Sequence, residues 1–337
     1  MRPLVIFFQG GAQSPYEFVS PLTQAPSEMR GEQGVMRCAN GDMIDDRWKE
    51  FAKVAHKTSV IHSLDSGNTE HDGKYIVGDT MKQAEKLSNG WIPYPHIRVP
   101  SIWPGSAKIH PGSFLVGYDE KQNAFRPPLL EDSPPSLGMR YELLRSLELP
   151  LSGTEKMEKN RDLAASLLLG GNTLKKPYEK AQKAEERYGT HPIGKAAALA
   201  VEMAKAGAGI TFLYNESGDG WDSHVKIKEK YDALIPPTDQ ALAQLILDSR
   251  RYGFTLLCTT EHGRTNLINQ YGGRDHSTVG YAVLAGEGIQ EGSSYGSLDK
   301  RGNIRDNGVR GKELMTTALH ACGLSQDRSM TINQILK

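Results

Sequence analysis

Three short polar clusters, each with a histidine close to an acidic residue, lie in the segment from Gly218 to His276. In chain order they are Gly220-Trp221-Asp222-Ser223-His224, Thr260-Glu261-His262-Gly263-Arg264-Thr265 and Gly272-Gly273-Arg274-Asp275-His276. The chain has only 10 histidines, and these clusters hold three of them. Mixtures of imidazole and carboxylate groups are common ligands of divalent metal ions. The clusters therefore predict one metal-dependent hydrolytic site at which all three converge.

The spacing within the clusters indicates how the ligands would be divided. Asp222 and His224 are two residues apart, so in an extended segment both side chains point the same way and reach one ion. Glu261 and His262 are adjacent, which suits two ligands directed at two neighbouring ions, and His276 completes a shell. A single histidine is more often a hydrogen-bonded structural residue than a ligand. The joint occurrence of three clusters is what favours metal binding.

Two arginines, Arg264 and Arg274, flank these candidate ligands. Two metal ions would polarise an ester oxygen and activate an attacking hydroxyl group. Each arginine is then a candidate to clamp the anionic group of a substrate by paired hydrogen bonds. The alternative, that both arginines form salt bridges that hold loops in place, is equally open.

Strand-like and helix-like segments alternate along the chain, and polar clusters follow the strands. Apolar runs of β-forming residues predict buried strands at Leu4 to Phe8, Ser59 to Ile61, Ile210 to Tyr214, Phe254 to Thr259 and Tyr281 to Ala285. Apolar residues at helical spacing predict helices at Arg47 to Ala55, His191 to Ala206, Val225 to Ile235, Ala241 to Arg251 and around Leu314 to Leu319, with Pro236-Pro237 as an interruption. This alternation predicts an α/β fold with a mostly parallel sheet flanked by helices on both faces. Ligands of such sheets gather beyond the carboxyl ends of the strands.

A polar loop, Ser63 to Asp72, follows the second predicted strand. A helix is predicted to begin near Asn68 or Thr69, and the free N–H groups at a helix N-terminus favour anions. Ser66 and Thr69 offer hydroxyl groups at this position, and His71 is a candidate substrate-binding residue in the same loop. The alternative is that these residues only cap the helix, and it stays open for both hydroxyl groups.

The middle of the chain differs in character from both ends. Prolines at 93, 95, 100, 104 and 111 predict an irregular segment from Trp91 to Pro111. From Gly138 to Tyr188 the pattern is helical, with one stripe at Leu143, Leu144 and Leu147 and another at Leu163, Leu167 and Leu168. We therefore predict a single domain over residues 1–337 with a loop-rich and helical insertion at about 90–188.

The overall composition argues against several classes of partner, although it leaves a local basic patch open. Forty basic and 40 acidic residues cancel, without a long block of either charge, which argues against a nucleic-acid binder or a membrane-surface protein. Three cysteines far apart in sequence argue against a disulfide framework and a cysteine-based zinc site. No apolar run reaches membrane-spanning length, and the N-terminus has no signal-peptide pattern. The sequence as given is therefore expected to be cytoplasmic, and its oligomeric state is not predicted.

The three clusters also carry a family resemblance. The Gly-Trp-Asp-Ser-His, Glu-His-Gly-Arg-Thr and Gly-Gly-Arg-Asp-His segments resemble successive motifs of the domain of unknown function 1501 family, within the alkaline phosphatase and sulfatase superfamily. Arg187-Tyr188-Gly189 and the first strand fit the same pattern. The resemblance implies an alkaline-phosphatase-like α/β fold and hydrolysis of phosphate or sulfate esters at a dinuclear metal site. By this analogy Asp222, His224 and His276 serve one ion, and Glu261 with His262 the other.

The chain departs from the superfamily pattern in two places. The superfamily has an aspartate ligand just after the first strand, where this chain has Gln9-Gly10-Gly11-Ala12-Gln13-Ser14 and only Glu17 offers a nearby carboxylate. The superfamily nucleophile is a Ser, Thr or modified Cys at the helix after the second strand, and the resemblance implies Thr69, with Ser66 second. The Cys/Ser-x-Pro-x-Arg signature of modified-cysteine sulfatases is absent. Relatives are typically exported by the twin-arginine route, so a periplasmic or exported location is the alternative if a leader was removed.

Two hypotheses about function follow. The first is a metal-dependent hydrolase of small anionic esters, with phosphate esters ahead of sulfate esters, a Thr or Ser nucleophile and a dinuclear site. Zinc is the first expected ion, with magnesium, manganese or calcium as alternatives. The second hypothesis is a catalytically degenerate member of the superfamily that acts as a binding or structural protein. The missing first-strand aspartate favours the second hypothesis, and the intact clusters favour the first.

Overall fold

The protein folds around one large sheet. The computed structural model describes residues 1–31, 34–71, 76, 80–88, 96–100, 114–119, 121, 124–126, 171–215 and 220–337. The strands are β1 (Leu4–Gln9), β2 (Val35–Arg37), β3 (Met43–Asp45), β4 (Thr58–Asp65), β5 (His96–Pro100), β6 (Phe114–Leu115), β7 (Gly117–Asp119), β8 (Ala124–Arg126), β9 (Ile210–Asn215), β10 (Thr255–Thr260), β11 (Gly263–Arg264), β12 (His276–Ser277), β13 (Val279–Ala285), β14 (Ser293–Tyr295), β15 (Ser297–Leu298), β16 (Ile304–Asp306) and β17 (Val309–Arg310). The α-helices are α1 (Lys49–Val54), α2 (Thr80–Leu87), α3 (Gly171–Tyr188), α4 (Pro192–Lys205), α5 (Ile227–Tyr252) and α6 (Gly311–Ala321). Short 3-10 turns span Ala55–Lys57, Arg328–Met330 and Asn333–Ile335.

The strand order in the sheet is β14-β4-β13-β10-β1-β9-β5-β6, and β17 also pairs with β4. Every pair in this sheet is parallel except the two that β13 makes, with β10 and with β4. The predicted α/β fold is therefore confirmed, although the sheet is mixed rather than purely parallel. The apolar run of β13 predicted a strand correctly but carries no information about its direction.

The direction of the strands decides where the polar clusters meet. Because β13 is antiparallel to both neighbours, β4 and β10 run the same way, and β1 and β9 run parallel to β10. The carboxyl ends of these four strands therefore share one edge of the sheet. The reversed strand β13 begins at that same edge, so the residues that precede it also arrive there.

Both faces of the sheet are covered by apolar side chains from helices. In β1 all six residues are buried, with Val5 and Phe7 on one face and Leu4, Ile6 and Phe8 on the other. The first face packs against α1, α4 and α5, and the second against α2 and α6. A strand that is buried on both faces has a continuous apolar sequence, and this pattern predicted β1.

Helix α5 continues through Pro236 and Pro237, where the sequence predicted an interruption. Each proline removes one backbone hydrogen bond, but the side chains of Tyr231 and Leu242, on either side of the prolines, are both fully buried. The hydroxyl of Thr238 also donates to the carbonyl of Leu234 at 2.8 Å. Burial of one continuous stripe therefore holds α5 together as a single helix, so the predicted break is wrong.

The predicted insertion at about 90–188 falls largely outside the described residues. The two leucine stripes between 138 and 170 lie entirely outside them, so the predicted domain organisation stays a prediction. Within the predicted irregular segment, His96–Pro100 forms β5, which pairs in parallel with β9. That part of the proline-rich segment is a strand of the main sheet, and the prediction of irregular structure is wrong there.

Two composition-based expectations bear on the fold. The three cysteines, Cys38, Cys258 and Cys322, are free and buried. Across the described ranges, no helix combines the length and the apolar character needed to cross a membrane. The architecture is held by the two apolar layers on the sheet.

Candidate metal centre

The three polar clusters meet at the sheet edge where β4, β10, β1 and β9 end. Glu261 and His262 follow β10 directly, and Asp222 and His224 lie in the segment after β9. His276 lies in β12, three residues before the first residue of β13. The predicted convergence of these residues is therefore present in the structure, and it follows from the order and direction of the strands.

A short antiparallel ribbon joins the second cluster to the third. In it β11 pairs with β12, so that Gly263 lies opposite Ser277 and Arg264 opposite His276. This pairing brings the His262 ring to a centroid distance of 4.2 Å from the His276 ring. The two imidazoles are therefore neighbours because of backbone pairing.

The first and third clusters are joined by a close backbone approach. Val225 forms an isolated antiparallel bridge with Gly272. A β-carbon at Gly273 would lie 2.1 Å from the carbonyl carbon of His224 and 2.4 Å from the nitrogen of Val225. Neither backbone atom can move aside independently, so the position requires glycine. Gly273 thereby fixes the distance between His224 and the segment that carries His276.

Three donor atoms from the first and third clusters form a nearly equilateral triangle. His224 Nε2 lies 3.0 Å from His276 Nε2 and 3.0 Å from Asp222 Oδ1, and His276 Nε2 lies 3.2 Å from the same oxygen. Ligand atoms about 2.0–2.1 Å from one ion are about 2.9 Å apart at right angles and about 3.4 Å apart at tetrahedral angles. The triangle has the dimensions of one face of a coordination polyhedron. A face of two histidines and one carboxylate is a recurrent arrangement for a catalytic ion with open positions.

All four histidines at this edge are oriented by a hydrogen bond at Nδ1. The pairs are His224 with Asp275 Oδ1 at 2.9 Å, His276 with the Thr69 carbonyl at 3.0 Å, His262 with the Gly263 carbonyl at 2.9 Å and His71 with Glu261 Oε1 at 2.6 Å. Backbone carbonyls and carboxylates in this position fix the tautomer that leaves Nε2 free to bind a metal ion. The tautomer is inferred from these contacts. Contacts of the kind that orient metal-binding histidines are therefore present at this edge.

A second group of potential ligands consists of His71, His262 and His276. One ring nitrogen of each lies within 4.8 Å of the other two. His262 is fully buried, and its Nε2 has no hydrogen-bond partner among the residues described. Glu261 Oε2 is likewise buried without a partner in the part of the chain that the structure describes. Buried polar atoms normally have a partner, so two such atoms next to four histidines fit a place built for a cation.

The pKa values of the cluster agree with cation binding. Burial lowers the pKa of His262 to about 3, so the ring is neutral and Nε2 carries a lone pair. Burial alone would raise the pKa of Asp222, but its polar contacts with His276, His71 and Arg264 outweigh this effect and hold that pKa well below its usual range. The carboxylates of Asp222 and Glu261 raise the pKa of His71 to about 10. A proton on His71 and a metal ion compete for the same nitrogen, so binding would release a proton.

Arg264 is fully buried and supports a candidate ligand. Its guanidinium donates to Asp222 Oδ1, to the carbonyl of Ala12 at 2.8 Å and to the carbonyl of Gly11. It thereby ties the turn after β1 to the first cluster. The predicted contact between Arg264 and substrate is not supported by this geometry, because the donors are used inside the protein.

Arg274 takes the alternative role that the sequence left open, a salt bridge that holds loops. The side chain is fully buried and bonds Glu17 Oε1 at 2.8 and 2.9 Å. Its remaining donors reach the carbonyls of Met29, Thr265 and Asn266. The substrate-binding prediction for Arg274 is therefore corrected. Glu17, the carboxylate that follows the first strand, is used in this pair.

The two candidate nucleophiles differ in their surroundings. Thr69 is exposed, and its carbonyl accepts the hydrogen bond from His276 Nδ1. Ser66 is buried, and its hydroxyl donates to the carbonyls of Asn68 and Thr278 at 2.8 and 3.2 Å. The Ser66 hydroxyl therefore holds the loop, whereas the Thr69 backbone touches the histidine cluster. The helix was predicted to begin near Asn68 or Thr69, but the residues up to His71 are not helical, and residues 72–75 lie outside the described residues.

The turn after β1 contributes structural contacts in place of an aspartate ligand. Gln9 accepts from Asn215 at 2.6 Å, and Gln13 accepts from the hydroxyl of Tyr281. The backbone nitrogen of Gly11 donates to Glu261 Oε1 at 2.7 Å. Through this last bond the turn positions a carboxylate that belongs to the second cluster.

Three residues at the site were missed or misplaced by sequence reasoning. Asn269 donates to the His224 carbonyl at 2.9 Å and to Asp275 Oδ1 at 3.2 Å, and it was not singled out. Asp275 was noted only as part of its motif, yet it orients His224. His71 was predicted to bind substrate, but it lies among the candidate ligands. The turn sequence Asn-x-Tyr-Gly-Gly could have pointed to Asn269. For His71, nothing in the sequence distinguishes a residue that binds metal from one that binds substrate.

Comparisons with known proteins give a family match and distant structural likenesses. A family model described as "Protein of unknown function (DUF1501)" matches residues 173–334, which include all three clusters. Among curated proteins, none matches the chain. The structure of Ps i-CgsB in complex with k-i-k-neocarrahexaose is 9% identical at a TM-score of 0.40 and covers 98% of this chain and 74% of that chain. Murine ectonucleotide pyrophosphatase/phosphodiesterase 5 is 11% identical at a TM-score of 0.40, covering 97% of this chain and 96% of that one. Likeness at this level assigns no activity.

Proposed function

We propose that this chain is a metal-dependent hydrolase of phosphate esters, with sulfate esters as the second substrate class, and a member of the domain of unknown function 1501 family with an alkaline-phosphatase-like fold. The family match over residues 173–334 supports membership. The observation that carries the proposed activity is the triangle of His224 Nε2, His276 Nε2 and Asp222 Oδ1, with edges of 3.0–3.2 Å.

The residues present fit a divalent cation. Asp222 is held as an anion, His262 is held neutral, and the Nδ1 atoms of the histidines are engaged so that Nε2 is available. Imidazole with carboxylate suits zinc first, with magnesium, manganese or calcium as alternatives. When bound, such ions supply Lewis-acid stabilisation of the negative charge that develops on an ester during hydrolysis.

The chain's own groups take the remaining tasks. The Thr69 hydroxyl would attack the phosphorus and displace the alcohol, and water would then release the phosphate from the threonine. Ser66 is the second candidate nucleophile, although its hydroxyl is engaged by two carbonyls. Because Arg264 and Arg274 are occupied inside the protein, the anionic group of the substrate depends on the cations and on backbone N–H groups.

The catalytically degenerate alternative has one specific observation in its favour. The turn after β1 supplies glutamines that are bonded to Asn215 and Tyr281, and its nearest carboxylate, Glu17, is paired with Arg274. One acidic ligand of the superfamily therefore has no counterpart at its usual place. A protein of this kind would still bind metal ions but would hydrolyse no ester.

The first test is elemental analysis of bound metal in the purified protein. We expect one to two equivalents of zinc, manganese, magnesium or calcium per chain in the wild type, and their loss in a His262→Ala, His276→Ala double variant. His56→Ala, which removes an exposed imidazole elsewhere, is the matched control and should retain the metal. If the wild type holds no ion after incubation with each metal, the hydrolase proposal fails.

The second test separates the hydrolase from the degenerate alternative. The metal-loaded protein is assayed on an aryl phosphate, an aryl phosphate diester and an aryl sulfate. Turnover that is lost in Thr69→Ala and kept in Ser66→Ala supports the proposed nucleophile. Stoichiometric metal without turnover on any of the three substrates supports a binding or structural role.

A further inference from the structure

A cavity of about 400 Å³ lies close to the same edge of the sheet, and its lining differs from that of the candidate metal centre. It is formed by the loop after β1, the last part of β4 and the segment between β14 and β17. Because β1, β14 and β17 all run in the direction of β4, these parts of the chain meet near the carboxyl ends of the strands. Ligand pockets have volumes of about 300–1,000 Å³, so the cavity has room for a small molecule.

A serine and a histidine on this lining form a hydrogen-bonded pair. Ser20 Oγ lies 2.9 Å from His62 Nδ1, and the His62 ring also hydrogen-bonds the backbone of Val19. A neutral imidazole has one N–H and a carbonyl only accepts, so we assign the N–H to the Val19 carbonyl and the lone pair on Nδ1 to the Ser20 hydroxyl. In this arrangement the imidazole is placed to take the proton of the serine.

We propose that Ser20 is a nucleophile with His62 as its general base, and that the cavity binds small carboxylic esters that carry a second, anionic group. A serine hydroxyl becomes a nucleophile when an adjacent base takes its proton. The lining contains none of the candidate metal ligands. The inference is therefore independent of the proposed metal-dependent function.

The surroundings of the pair suit this chemistry. Burial lowers the pKa of His62, although the charge of Asp42 and the contact with Val19 oppose this effect, so the ring is in the neutral form that accepts a proton. The backbone of Ser20 is also held, because its nitrogen donates to the Pro15 carbonyl at 2.9 Å. Both members of the pair are thereby fixed by the backbone of the same loop.

Two cationic side chains on the lining, Lys300 and Arg305, indicate an anionic substrate. Asp299 lies on the same lining, but its Oδ1 accepts from the backbone nitrogens of Arg301 and Asn303 at 2.8 and 2.9 Å, so this carboxylate is bonded within its own turn. The cations would bind the free carboxylate of the substrate by charge-assisted hydrogen bonds. They would also offset the negative charge that develops on the ester oxygen during attack.

An apolar part of the wall limits the rest of the substrate. Leu22 and Leu298 both line the cavity, and they belong to one apolar cluster. A short carbon chain between the ester and the anionic group would lie against them. Half-esters of short dicarboxylic acids combine these features.

The reaction would proceed in two balanced halves. Ser20 Oγ bonds to the carbonyl carbon of the ester while its proton passes to His62. The bond to the alcohol then breaks, and the alcohol leaves with the proton from His62. Water attacks the acylated serine and gives a proton to His62, which returns it to Ser20 as the acid is released.

Labelling with a fluorophosphonate, followed by peptide mass spectrometry, tests the nucleophile. The serine oxygen would bond to phosphorus, fluoride would leave and the imidazole would take the hydroxyl proton. We expect label on Ser20 in the protein as purified and after treatment with a chelator. Ser20→Ala should lose this label, and His62→Gln should slow labelling at least ~100-fold. Ser27→Ala removes an exposed hydroxyl from the same loop and is the matched control.

Ester hydrolysis by chelator-treated protein tests the substrate class. The para-nitrophenyl half-ester of succinate should be turned over with a kcat/KM at least ~10-fold above that of para-nitrophenyl acetate, because only the half-ester reaches a cation. Lys300→Met should remove this preference, and Lys300 is chosen because Arg305 already bonds Asp306. Lys53→Met, which removes an exposed ammonium group in α1, should keep the preference.

The outcomes separate this inference from the metal-dependent function. A wild type in which Ser20 stays unlabelled overturns the proposal, and label on Thr69 alone would do so while supporting the metal-dependent hydrolase. Equal labelling rates in wild type and folded His62→Gln overturn the role of the base. Equal turnover of the two esters overturns the substrate class. Circular dichroism establishes that each variant is folded, and the labelled position in the wild type decides if His62→Gln is not.

Discussion

Arg264 and Arg274 are both fully buried, and both were predicted to clamp the same substrate. Arg264 reaches Asp222, whose side chain is 30% exposed at the candidate metal site. Arg274 reaches Glu17, whose side chain is 2% exposed, and its guanidinium lies 5.1 Å from the centre of the Tyr16 ring. The first arginine therefore supports a ligand, and the second fastens the loop after β1 to the loop before β12.

The difference shows that the partner of a buried guanidinium determines its role. A buried ion pair contributes little net stability compared with an apolar pair, but removal of one partner leaves an uncompensated charge. This penalty is large for Glu17, which has no access to water, and smaller for Asp222, which does. Substitutions of the two arginines should therefore differ in whether stability or metal affinity suffers more.

The largest effect on stability is expected for Arg274→Met. The substitution leaves Glu17 buried without its partner, and it should lower the free energy of unfolding by about 3–5 kcal/mol in urea denaturation. Arg305→Met removes an exposed guanidinium and should change stability by less than about 0.5 kcal/mol.

The double variant Glu17→Gln, Arg274→Met checks the cause. Because the glutamine carries no charge, this variant should recover part of the loss. If the single and double variants are equally unstable, the loss comes from the carbonyls of Met29 and Asn266 that Arg274 also bonds, and the comparison with Arg264 loses its basis.

Compared with Arg274→Met, the Arg264→Met variant should lose less stability and more metal affinity. Loss of hydrogen bonds to the Gly11 and Ala12 carbonyls should lower the free energy of unfolding by about 2–3 kcal/mol. Release of Asp222 should weaken zinc binding by about 10–100-fold in calorimetric titration. Folded Arg274→Met, measured in the same way at low temperature, should bind zinc within about threefold of the wild type. Equal losses of affinity in the two variants would contradict the proposed division of roles.

Asp239 extends the comparison to a buried carboxylate that is hydrogen-bonded by backbone amides. Its side chain, in α5, accepts from the backbone nitrogens of Glu50 and Phe51 at 2.7 Å each, at the start of α1. Burial raises the pKa of Asp239 to about 6, because these amide hydrogen bonds only partly offset the loss of water. The contrast with Asp222, whose pKa is lowered, illustrates what charged hydrogen-bond donors contribute.

The sign of the pH dependence follows from the raised pKa. The unfolded chain releases the Asp239 proton near pH 4 and the folded chain near pH 6, so the folded state binds more protons between these values. The contribution of Asp239 to stability is therefore present below about pH 4 and is lost as pH rises to about 6. Relative to Asp239→Asn, the wild type should lose roughly 2–3 kcal/mol across this window. A difference in unfolding free energy that stays constant from pH 4 to 7 would contradict the raised pKa.

Sequence reasoning succeeded where one residue's environment is decided by its neighbours in the chain. The apolar runs of β1, β9 and β10 predicted buried strands, and the polar clusters after them predicted the edge at which they meet. Sequence reasoning failed where the environment of a residue is decided by a partner far away in the chain. Glu17 and Arg274 are 257 positions apart, and nothing local in either motif indicates their pair. The same reason explains why His71 was given a substrate role, since its contacts to Glu261 and Asp222 form only in the fold.

The smallest effect is expected for Asp275→Asn, which removes an outer charge and leaves the fold intact. Asp275 is exposed, and it bonds His224 Nδ1 at 2.9 Å. An asparagine oxygen still accepts this hydrogen bond, so stability should change by less than about 0.5 kcal/mol. The lost negative charge weakens the support for a cation on His224, and zinc affinity should fall by about tenfold. The control is Asn269→Asp, which adds a negative charge next to the Asp275 carboxylate instead of removing one, and the two carboxylates would repel each other. Unchanged zinc affinity in Asp275→Asn would mean that the Asp275 carboxylate does not contribute to zinc binding at His224. The support for the ion would then come from Arg264, through its bond to Asp222.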